Sequence, residues 1–482
     1  MLSLVSTAVI VCGIYTLFYV VRRFNSWWYE PTLKNGKAPL PPGDMGWPLL
    51  GNMLSFLRDF KSTNPEAFIS SFVSRFNRVG VYKAFMFGNP TILATTPEAC
   101  RRVLMDDANF IPGWPKSTVK LMGSKSFVGI SQEEHKRLRK LTAAPLNGPE
   151  ALSKYMNWIE ERVVSALENW SKMDQIDLLT ELRRLTFNII GYIFIRYDPN
   201  AIGALEREYG VLNLGVRAMA INLPGTAFNK ALKARRNLKA ILQSVIDKRR
   251  SGQEKNDDNN GDMLDSLLQV KDENGRFLTD EEIIDLLIMY LNAGHESSAH
   301  ITMWTVIFLL KHPEIYAKAK AEQENIVKRR IERQRHMRFS ELREMHYLRK
   351  VLDESLRLVN ISPMVFREAV DDVEFNGFTI PKGWKTQVWL RNVHLDPHVY
   401  HDPMKFDPER WNNFVPRAGM FIPFGGGSRE CPGNELAKME ISVFFHYMLL
   451  HYEVERLTPD CQLRYLPHPR PIDNCPVRIR KL

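Results

Sequence analysis

The sequence has little of what marks several common protein classes. Its five cysteines are odd in number, far apart and never spaced as C-x-x-C, so neither a disulfide framework nor a zinc knuckle is indicated. The net charge is only +10, and charges of both signs are scattered, which argues against a nucleic-acid surface. There is no internal repeat and no G-x-G-x-x-G dinucleotide fingerprint. With 482 residues, 44% of them hydrophobic and 25% charged, the chain has the composition of a large globular protein.

The longest uncharged apolar segment lies at the N-terminus. Leu2 to Val21 carries no charge, and twenty residues in a helix span about 30 Å, the hydrocarbon thickness of a bilayer. Arg22 and Arg23 follow at once, which predicts a lumenal N-terminus and a cytosolic remainder. A cleaved signal peptide is the alternative, disfavoured because a positive n-region is missing. We predict a membrane anchor at 1–23, a stiff proline-rich connector at 24–52 and one domain at 53–482.

The rest of the chain is predicted to be mainly α with small β-sheets, an α+β domain. Val81–Met86 and Thr91–Thr95 alternate as strands do, with a turn predicted at Gly88 to Pro90. A second β region is predicted at Val373–Leu390. The polar segment 253–262 is predicted to be a surface loop.

A long helix with a polar centre is predicted from about Thr279 to His312. Thr279 and Glu282 match a capping box, and Pro313 follows the predicted end, so the helix would be about 48 Å long. Residues 294–298 interrupt its apolar sequence with Gly-His-Glu-Ser-Ser. A buried acid, a glycine and serines each weaken a helix, which indicates a ligand there. The alternative is a solvent-facing glutamate and a glycine that permits close packing.

One cysteine lies in an unusual loop. Cys431 follows three glycines and precedes Pro-Gly and a helical run. Backbone N–H groups and a helix N-terminus favour a thiolate, which suits an axial metal ligand. A catalytic nucleophile, which would need a base such as His446, and a buried structural cysteine are the alternatives. The loop alone leaves all three open.

A set of motifs resembles the cytochrome P450 superfamily across essentially the whole chain. The pattern F-x-x-G-x-R-x-C-x-G of the haem-binding loop is met at every defined position. The defined positions of that loop are Phe424, Gly427, Arg429, Cys431 and Gly433. The family's other motifs precede it in the family's order. They are His135 and Arg139 at the W-x-x-x-R positions, Ala293–Ser297 as the oxygen-activation motif, Glu354 and Arg357 as E-x-x-R, and Arg410 as the arginine partner of that pair. The resemblance implies the cytochrome P450 fold, a single large domain behind an N-terminal transmembrane helix.

The resemblance also implies a role for each motif residue. Cys431 would be the axial ligand of the iron of haem b, and thiolate donation favours O–O cleavage. Glu296 and Ser297 would serve catalysis by delivering protons to iron-bound dioxygen, with serine where the family usually has threonine. The remaining cofactor-binding residues would be Arg139, Arg367 and Arg429 on the haem propionates, His135 as a donor, and Phe424 beside the cysteine. Glu354, Arg357 and Arg410 would be structural. The substrate pocket would include Met289, Ala293, Pro363, Met364 and Val365.

The expected activity is that of an NADPH- and O2-dependent monooxygenase. Because no dinucleotide fingerprint is found, the electrons would come from a separate flavoprotein. The resemblance implies that this partner is NADPH–cytochrome reductase. A basic patch for that acidic partner is predicted at Lys136, Arg137, Lys140 and Lys438. The enzyme would be a single-pass protein of the endoplasmic reticulum membrane with a cytosolic catalytic domain. A non-catalytic haem-binding sensor or carrier is the alternative of another class.

Longer stretches narrow the resemblance to the plant microsomal branch that contains ent-kaurenoic acid oxidases. That branch implies a polycyclic terpenoid substrate, first of all ent-kaurenoic acid, oxidised in successive steps to gibberellin A12. Asn360–Phe366 departs from the gibberellin enzymes' pattern, so a triterpenoid oxygenase, including the limonoid type, is the alternative. An acidic substrate would need a cation, for which Lys116, Lys120 and Lys125 are candidates.

Overall fold

The fold is mainly helical. A computed structural model of the chain describes residues 2–33, 36–62, 64–196, 199–252, 261–330 and 336–482. Most of the predicted polar loop at 253–262 lies outside the described residues. The helices are α1 (Leu2–Tyr29), α2 (Met53–Lys61), α3 (Ala67–Phe76), α4 (Pro97–Met105), α5 (Lys116–Met122), α6 (Gln132–Asn147), α7 (Pro149–Trp170), α8 (Leu178–Ile195), α9 (Pro199–Val216), α10 (Ala227–Arg250), α11 (Met263–Gln269), α12 (Asp280–Lys311), α13 (Pro313–Lys328), α14 (His346–Val359), α15 (Leu390–His394), α16 (Arg410–Asn413) and α17 (Asn434–His451), with 3-10 turns at Phe339–Glu344 and Gly427–Arg429.

The strands form small sheets at the edge of this helical body. They are β1 (Gly43–Asp44), β2 (Val81–Met86), β3 (Asn89–Ala94), β4 (Phe110–Pro112), β5 (Ile176–Asp177), β6 (Val365–Ala369), β7 (Val373–Phe375), β8 (Phe378–Ile380), β9 (Lys385–Val388), β10 (Tyr452–Arg456), β11 (Leu463–Arg464), β12 (Arg470–Pro471) and β13 (Pro476–Lys481). The largest sheet has the order β1-β2-β3-β9-β6-β4, and a second has the order β10-β13-β5. Two further pairs are β11-β12 and β7-β8.

The predicted strands are confirmed, with one turn displaced. The hairpin between β2 and β3 turns at Phe87 and Gly88, both at positive φ, and Asn89 pairs with Met86 inside the sheet. Asn376 and Gly377, also at positive φ, connect β7 to β8 as predicted. Strand β6 was not predicted, because its residues were assigned to the pocket segment and its pairing with β9 depends on tertiary contact.

Helix α12 runs through the core as predicted. The Thr279 hydroxyl accepts from the Glu282 backbone N–H while the Glu282 carboxylate accepts from Thr279, which completes the capping box. The helix ends at Lys311, before Pro313. Its apolar side chains belong to one large cluster shared with α7, α8, α14 and α17. The polar centre of α12 is therefore held by helices on several sides.

The N-terminal helix lies apart from this core over most of its length. Many of its apolar side chains are exposed, among them Val9 at 65% and Trp28 at 72%. Its last turns contact the connector, where Arg22 pairs with Asp44 at 2.6 Å and the Asn25 side chain donates to the Met45 carbonyl. Within the described ranges, no helix combines the length and apolarity needed to cross a membrane. The anchor at 1–23 and the boundaries of the connector stay predictions.

Candidate active site

The loop before α17 presents Cys431 in a fixed backbone conformation. The Cys431 N–H donates to the Phe424 carbonyl at 2.9 Å, which closes the loop behind the cysteine. Gly427 has a φ of +72°, and a Cβ atom there would lie 2.2 Å from the Leu104 carbonyl oxygen. Glycine is therefore required by both conformation and contact. Cys431 as a whole residue is half-buried.

The loop by itself does not favour the thiolate as strongly as the sequence suggested. Burial raises the pKa of the Cys431 thiol, and the hydrogen bond from Gly433 and the charge of Arg139 only partly oppose this. Charge from a bound metal would be needed to hold the thiolate, since a metal deprotonates its thiol ligand. His446 is engaged elsewhere, with Nδ1 2.8 Å from the Gln323 oxygen and Nε2 3.0 Å from Arg330. It does not act as a base for a nucleophilic Cys431.

Arg139, Arg367 and Arg429 converge beside this loop with His135. Burial lowers the pKa of Arg429 to about 10, and the charges of Arg367 and Arg139 contribute to that decrease. Among the described residues, none of the three arginines forms an ion pair with a carboxylate; Asp107 acts on Arg367 and Arg429 only at longer range. The site thus gathers three positive charges that have no close counter-charge.

His135 and Arg429 are held in place by their surroundings. Ser131 caps the start of α6 by accepting from the Glu134 backbone, which positions His135 on the first turn of that helix. His135 is buried, and its Nδ1 has no hydrogen-bond partner in the part of the chain that the structure describes. Burial, together with the arginine charges, lowers its pKa to about 3, so it is neutral. Arg429 donates to the Phe127 carbonyl at 3.0 Å and to Gln132 at 2.7 Å, which leaves its guanidinium oriented rather than free to rotate.

The three predicted structural residues form one buried network. Arg357 and Glu354 are fully buried and pair in a fork, at 2.7 Å between Nη2 and Oε1 and 2.9 Å between Nε and Oε2. Arg410 Nε lies 3.2 Å from Glu354 Oε1. Arg357 also donates to the carbonyls of His394 and Pro403. The network therefore joins α14 to the segment that precedes the cysteine loop.

The centre of α12 presents an open face and a charged face. Ala293 is exposed and Ser297 half-buried, although most residues around them are buried, so this face of the helix is accessible rather than packed. The Ser297 hydroxyl donates to the Ala293 carbonyl at 2.8 Å. Gly294 packs against α8, where a Cβ atom would lie 2.7 Å from Ile190 Cδ1. Close packing by this glycine was one half of the alternative reading, and the structure supports it.

The other half of that alternative, a solvent-facing Glu296, is wrong. Glu296 is only 6% exposed. Its carboxylate lies 2.5 Å from Arg217 Nη2 and 3.5 Å from Arg183 Nε, and it accepts from the Asn213 amide at 3.0 Å. Burial alone would raise the pKa of this carboxyl, but Arg217 and Arg183 lower it to about 2. Glu296 is therefore a permanent anion.

A second buried acid, Glu440, was not predicted. It lies on α17, is 5% exposed, and its Oε1 accepts no hydrogen bond from any described residue. Burial raises its pKa to about 8, and an interaction with Ser298 of α12 opposes this only in part. The available signal in the sequence was an acid between Met439 and Ile441 in an apolar helix.

The residues predicted for the substrate pocket pack in different surroundings. Met289 belongs to the large core cluster around α12. Met364 packs in a separate cluster with the aromatic residues of α2 and α3. Val365 begins β6 and pairs with Val388, and Pro363 is half-buried with its carbonyl accepting from Arg391. A substrate pocket lined by these residues stays a prediction.

The basic residues predicted for partner and substrate binding differ in exposure and in ion pairing. Arg137 is not free for docking, because it pairs with Asp272 at 2.8 Å, Glu282 at 2.7 Å and Glu134 at 3.1 Å. Lys136 and Lys140 are exposed, and Lys140 pairs with Glu273 at the surface. Lys438 is half-buried over the Phe424 ring. The three lysines proposed for an acidic substrate are exposed: Lys116, Lys120 and Lys125.

Comparison with known proteins identifies the family. The family model described as Cytochrome P450 matches residues 41–469. The chain belongs to the cytochrome P450 family. It is 58% identical to ent-kaurenoic acid oxidase 2 of Arabidopsis thaliana over 98% of this chain and 97% of that protein. It is 54% identical to the ent-kaurenoic acid oxidase of Oryza sativa subsp. japonica over 99% and 96%, and 48% identical to a 7,8-epoxymelianol synthase of Ailanthus altissima over 98% and 96%.

The fold is that of a cytochrome P450. The retinoic acid-bound cyanobacterial CYP120A1 superposes with a TM-score of 0.80 at 31% identity, covering 92% of this chain and all of that structure. This is the mainly helical single domain with small sheets that the sequence predicted. As a cytochrome P450, the protein is a monooxygenase that uses haem b, supplied with electrons by a reductase.

The residues beside Cys431 fit haem. Two ionised propionates carry two negative charges, and the three unpaired arginines supply the opposite charge in fork geometry. The Nδ1 of His135, which has no hydrogen-bond partner among the described residues, is a further polar group at this site. The Cys431 thiol of the adjacent loop is the type of iron ligand that the family uses.

Proposed function

We propose that this protein is an endoplasmic reticulum monooxygenase that oxidises ent-kaurenoic acid in successive steps to gibberellin A12. The observation that carries the proposal is the 58% identity to an ent-kaurenoic acid oxidase over nearly the whole of both chains. The 48% identity to the 7,8-epoxymelianol synthase is the observation that keeps the triterpenoid alternative as the second candidate. The higher identity supports the diterpenoid acid as the first substrate to test.

Cys431 would hold the haem iron, and Arg139, Arg367 and Arg429 would hold the propionates, with His135 as an additional polar contact. Once bound, haem b supplies the activation of O2 that inserts one oxygen atom into a C–H bond. The contacts of Arg429 to Phe127 and Gln132 support a preorganised guanidinium. Such preorganisation lowers the entropy lost when the cofactor binds.

The Ser297 hydroxyl would deliver protons on the open face of α12. It donates to the Ala293 carbonyl in a helix-internal bond, and rotation about χ1 would release it toward that face. Serine lacks the methyl group that restricts threonine rotamers, so this rotation is less hindered here. Glu296 would act as a fixed negative charge beside Ser297 rather than as a proton donor, because its carboxyl stays ionised.

NADPH would supply the electrons through a separate reductase that docks on the face near the cysteine loop. Lys136, Lys140 and Lys438 support a basic docking surface there, although its charge is reduced by pairing with Glu273 and Glu435. Arg137 is left out of this surface because its three carboxylate partners neutralise it. Mutation of such peripheral charges changes mainly the association rate and its salt dependence.

The N-terminal helix would attach the domain to the membrane. The exposed apolar side chains of α1 support this, since a surface of that kind on a soluble protein is usually covered. Arg22 and Arg23 would mark the cytosolic end of the segment. Fusion of residues 1–33 to a fluorescent protein, followed by carbonate extraction of the membranes, tests this part separately.

The function is tested by feeding yeast microsomes that carry this protein and a plant reductase. The substrates are ent-kaurenoic acid and a panel of triterpenes, with NADPH and O2, and the products are identified by mass spectrometry. We expect gibberellin A12 from the acid and no product with the Cys431→Ser variant. An oxygenated triterpene without any gibberellin product would overturn the diterpenoid assignment in favour of the alternative. Absence of both NADPH consumption and product with every substrate would favour a non-catalytic haem protein.

A further inference from the structure

A second group of arginines lies on the charged face of α12, apart from the haem site. Arg183 comes from α8, Arg217 follows the end of α9, and Arg470 begins β12. Arg217 and Arg183 contact Glu296 directly. Arg470 stands two residues after His468, whose Nε2 lies 3.8 Å from Glu296, and the charges of Arg464, Glu296 and Arg217 act on it, so the third guanidinium belongs to the same group. We call these three residues the distal arginine cluster.

The distal arginine cluster has more positive charge than its surroundings neutralise. Within the described ranges, Glu296 is the only carboxylate that lies within 4 Å of any of the three arginines. The group therefore carries a net charge of about +2 (three guanidinium groups and one carboxylate). His468, 3.8 Å from Glu296, adds no charge at neutral pH, because burial lowers its pKa. Partly buried charges of one sign repel each other strongly unless an anion is present.

Two hydrogen-bond donors of the cluster make no hydrogen bond within the described residues. Arg470 Nε is buried without a partner there, and the buried Arg183 Nε has only the 3.5 Å ion-pair contact to Glu296. Arg470 uses Nη1 on the Asn474 side chain, and Arg217 uses Nη2 on Glu296. A buried donor without a hydrogen bond is destabilising, so a ligand that accepts from these groups would recover free energy.

The cluster lies next to the region where a substrate would be oxidised. Glu296 directly precedes Ser297, whose neighbour Ala293 lies on the open face of α12. His468 Nδ1 lies 2.9 Å from the Ile361 carbonyl, at the start of the segment Asn360–Phe366 that is predicted to line the pocket. The cluster thus lies at the junction of α12 with that segment.

We propose that the distal arginine cluster binds the carboxylate of an acidic polycyclic substrate. This inference rests on the proposed function, and it names the recognition site for the acid group. Guanidinium forks match carboxylates, and a single added negative charge leaves Glu296 in place while it lowers the net charge of the group to about +1. A neutral triterpene would leave the charge and the unused donors as they are. The cluster therefore favours the acid over the neutral class of substrate.

The test compares binding of an acid with binding of its neutral analogue. Ent-kaurenoic acid and its methyl ester are titrated into the holoenzyme, and binding is followed by the substrate-induced change in the haem absorption spectrum. We expect the acid to bind at least about tenfold more tightly than the ester to the wild type. In Arg217→Gln and Arg470→Gln this preference should fall about tenfold or disappear, with ester binding unchanged. Binding is measured rather than turnover, because loss of Arg217 also alters the charge beside Glu296.

Arg184→Gln is the matched control, because Arg184 lies on the same helix as Arg183 but is exposed and pairs with Glu181. It should keep the preference for the acid. Two variants are used. If one does not fold, which is seen as loss of the reduced carbon monoxide spectrum, the other still gives a result. If both variants fold and bind the acid as the wild type does, the site is wrong while the proposed function stands. If the wild type binds neither the acid nor the ester, both are wrong.

Discussion

Glu440→Gln should remove a pH-dependent loss of stability. Burial raises the pKa of Glu440 from 4.5 to about 8, so the folded protein keeps a proton that the unfolded chain releases. For a raised carboxyl pKa, the contribution to stability is fully present below the unfolded pKa near 4.5. It is lost as the pH rises through the folded value near 8. Glutamine has nearly the same shape and does not titrate.

The expected size follows from the two pKa values. At about 1.4 kcal/mol per pKa step, the gap between 4.5 and about 8 corresponds to roughly 5 kcal/mol over the whole range. Between about pH 5 and pH 8, roughly 3 kcal/mol of this is expressed. We therefore expect the wild type to lose on the order of 3 kcal/mol more than Glu440→Gln across that interval.

The measurement is urea unfolding of the holoenzyme, followed by tryptophan fluorescence at several pH values. Other titrating groups near α17, such as His446 and the Tyr447–Glu160 pair, are present in both proteins and cancel in the difference. Glu440→Ala is less suitable, because the cavity it leaves adds a pH-independent loss. Parallel stability profiles for wild type and Glu440→Gln would show that Glu440 is ionised or solvated in the folded state, and would refute the reasoning.

Three further predictions concern the haem site and its support. Cys431→Ser should keep the fold by circular dichroism but lose the thiolate-type spectrum of the reduced carbon monoxide complex; an unchanged spectrum would contradict the ligand assignment. Arg429→Gln should release haem to apomyoglobin about tenfold faster, because one of three counter-charges is removed, whereas the exposed control Arg329→Gln should not. Glu354→Gln should destabilise the protein by about 3–5 kcal/mol, since it leaves Arg357 buried without its anion; a midpoint of unfolding equal to that of the wild type would contradict this.

Local sequence signals predicted the parts of the fold that depend on neighbouring residues. The capping box at Thr279 and Glu282 and the proline after the helix gave the bounds of α12 to within one residue. The Asn376-Gly377 pair gave the β7–β8 turn, because both positions need a positive φ. The haem loop was recognisable for the same reason, since its glycines and its cysteine lie close together in the chain.

Features that depend on contact between distant segments could not be predicted in this way. Strand β6 pairs with β9, and Met364, next to that strand, packs in a cluster with the aromatic residues of α2 and α3. Arg137 looked like one charge of a surface patch, but Asp272 and Glu282, far along the chain, neutralise it. A sequence gives the charge of each residue but not the partner that the fold brings to it.

Two buried acids, Glu296 on α12 and Glu440 on the neighbouring α17, show that nearby groups determine the pKa of a buried carboxyl. Glu296 has Arg217 and Arg183 at its carboxylate and a pKa of about 2. For Glu440, only the Ser298 hydroxyl among the described residues opposes the effect of burial, and the pKa is about 8. Glu296 and Ser298 are two residues apart, about 200° around the helix, so the two acids lie on nearly opposite sides of α12. At neutral pH the carboxyl of Glu296 on one side of α12 is therefore ionised, and that of Glu440 on the other side is protonated. The proton that the fold itself retains beside α12 is the one on Glu440, although the motif alone had pointed to Glu296.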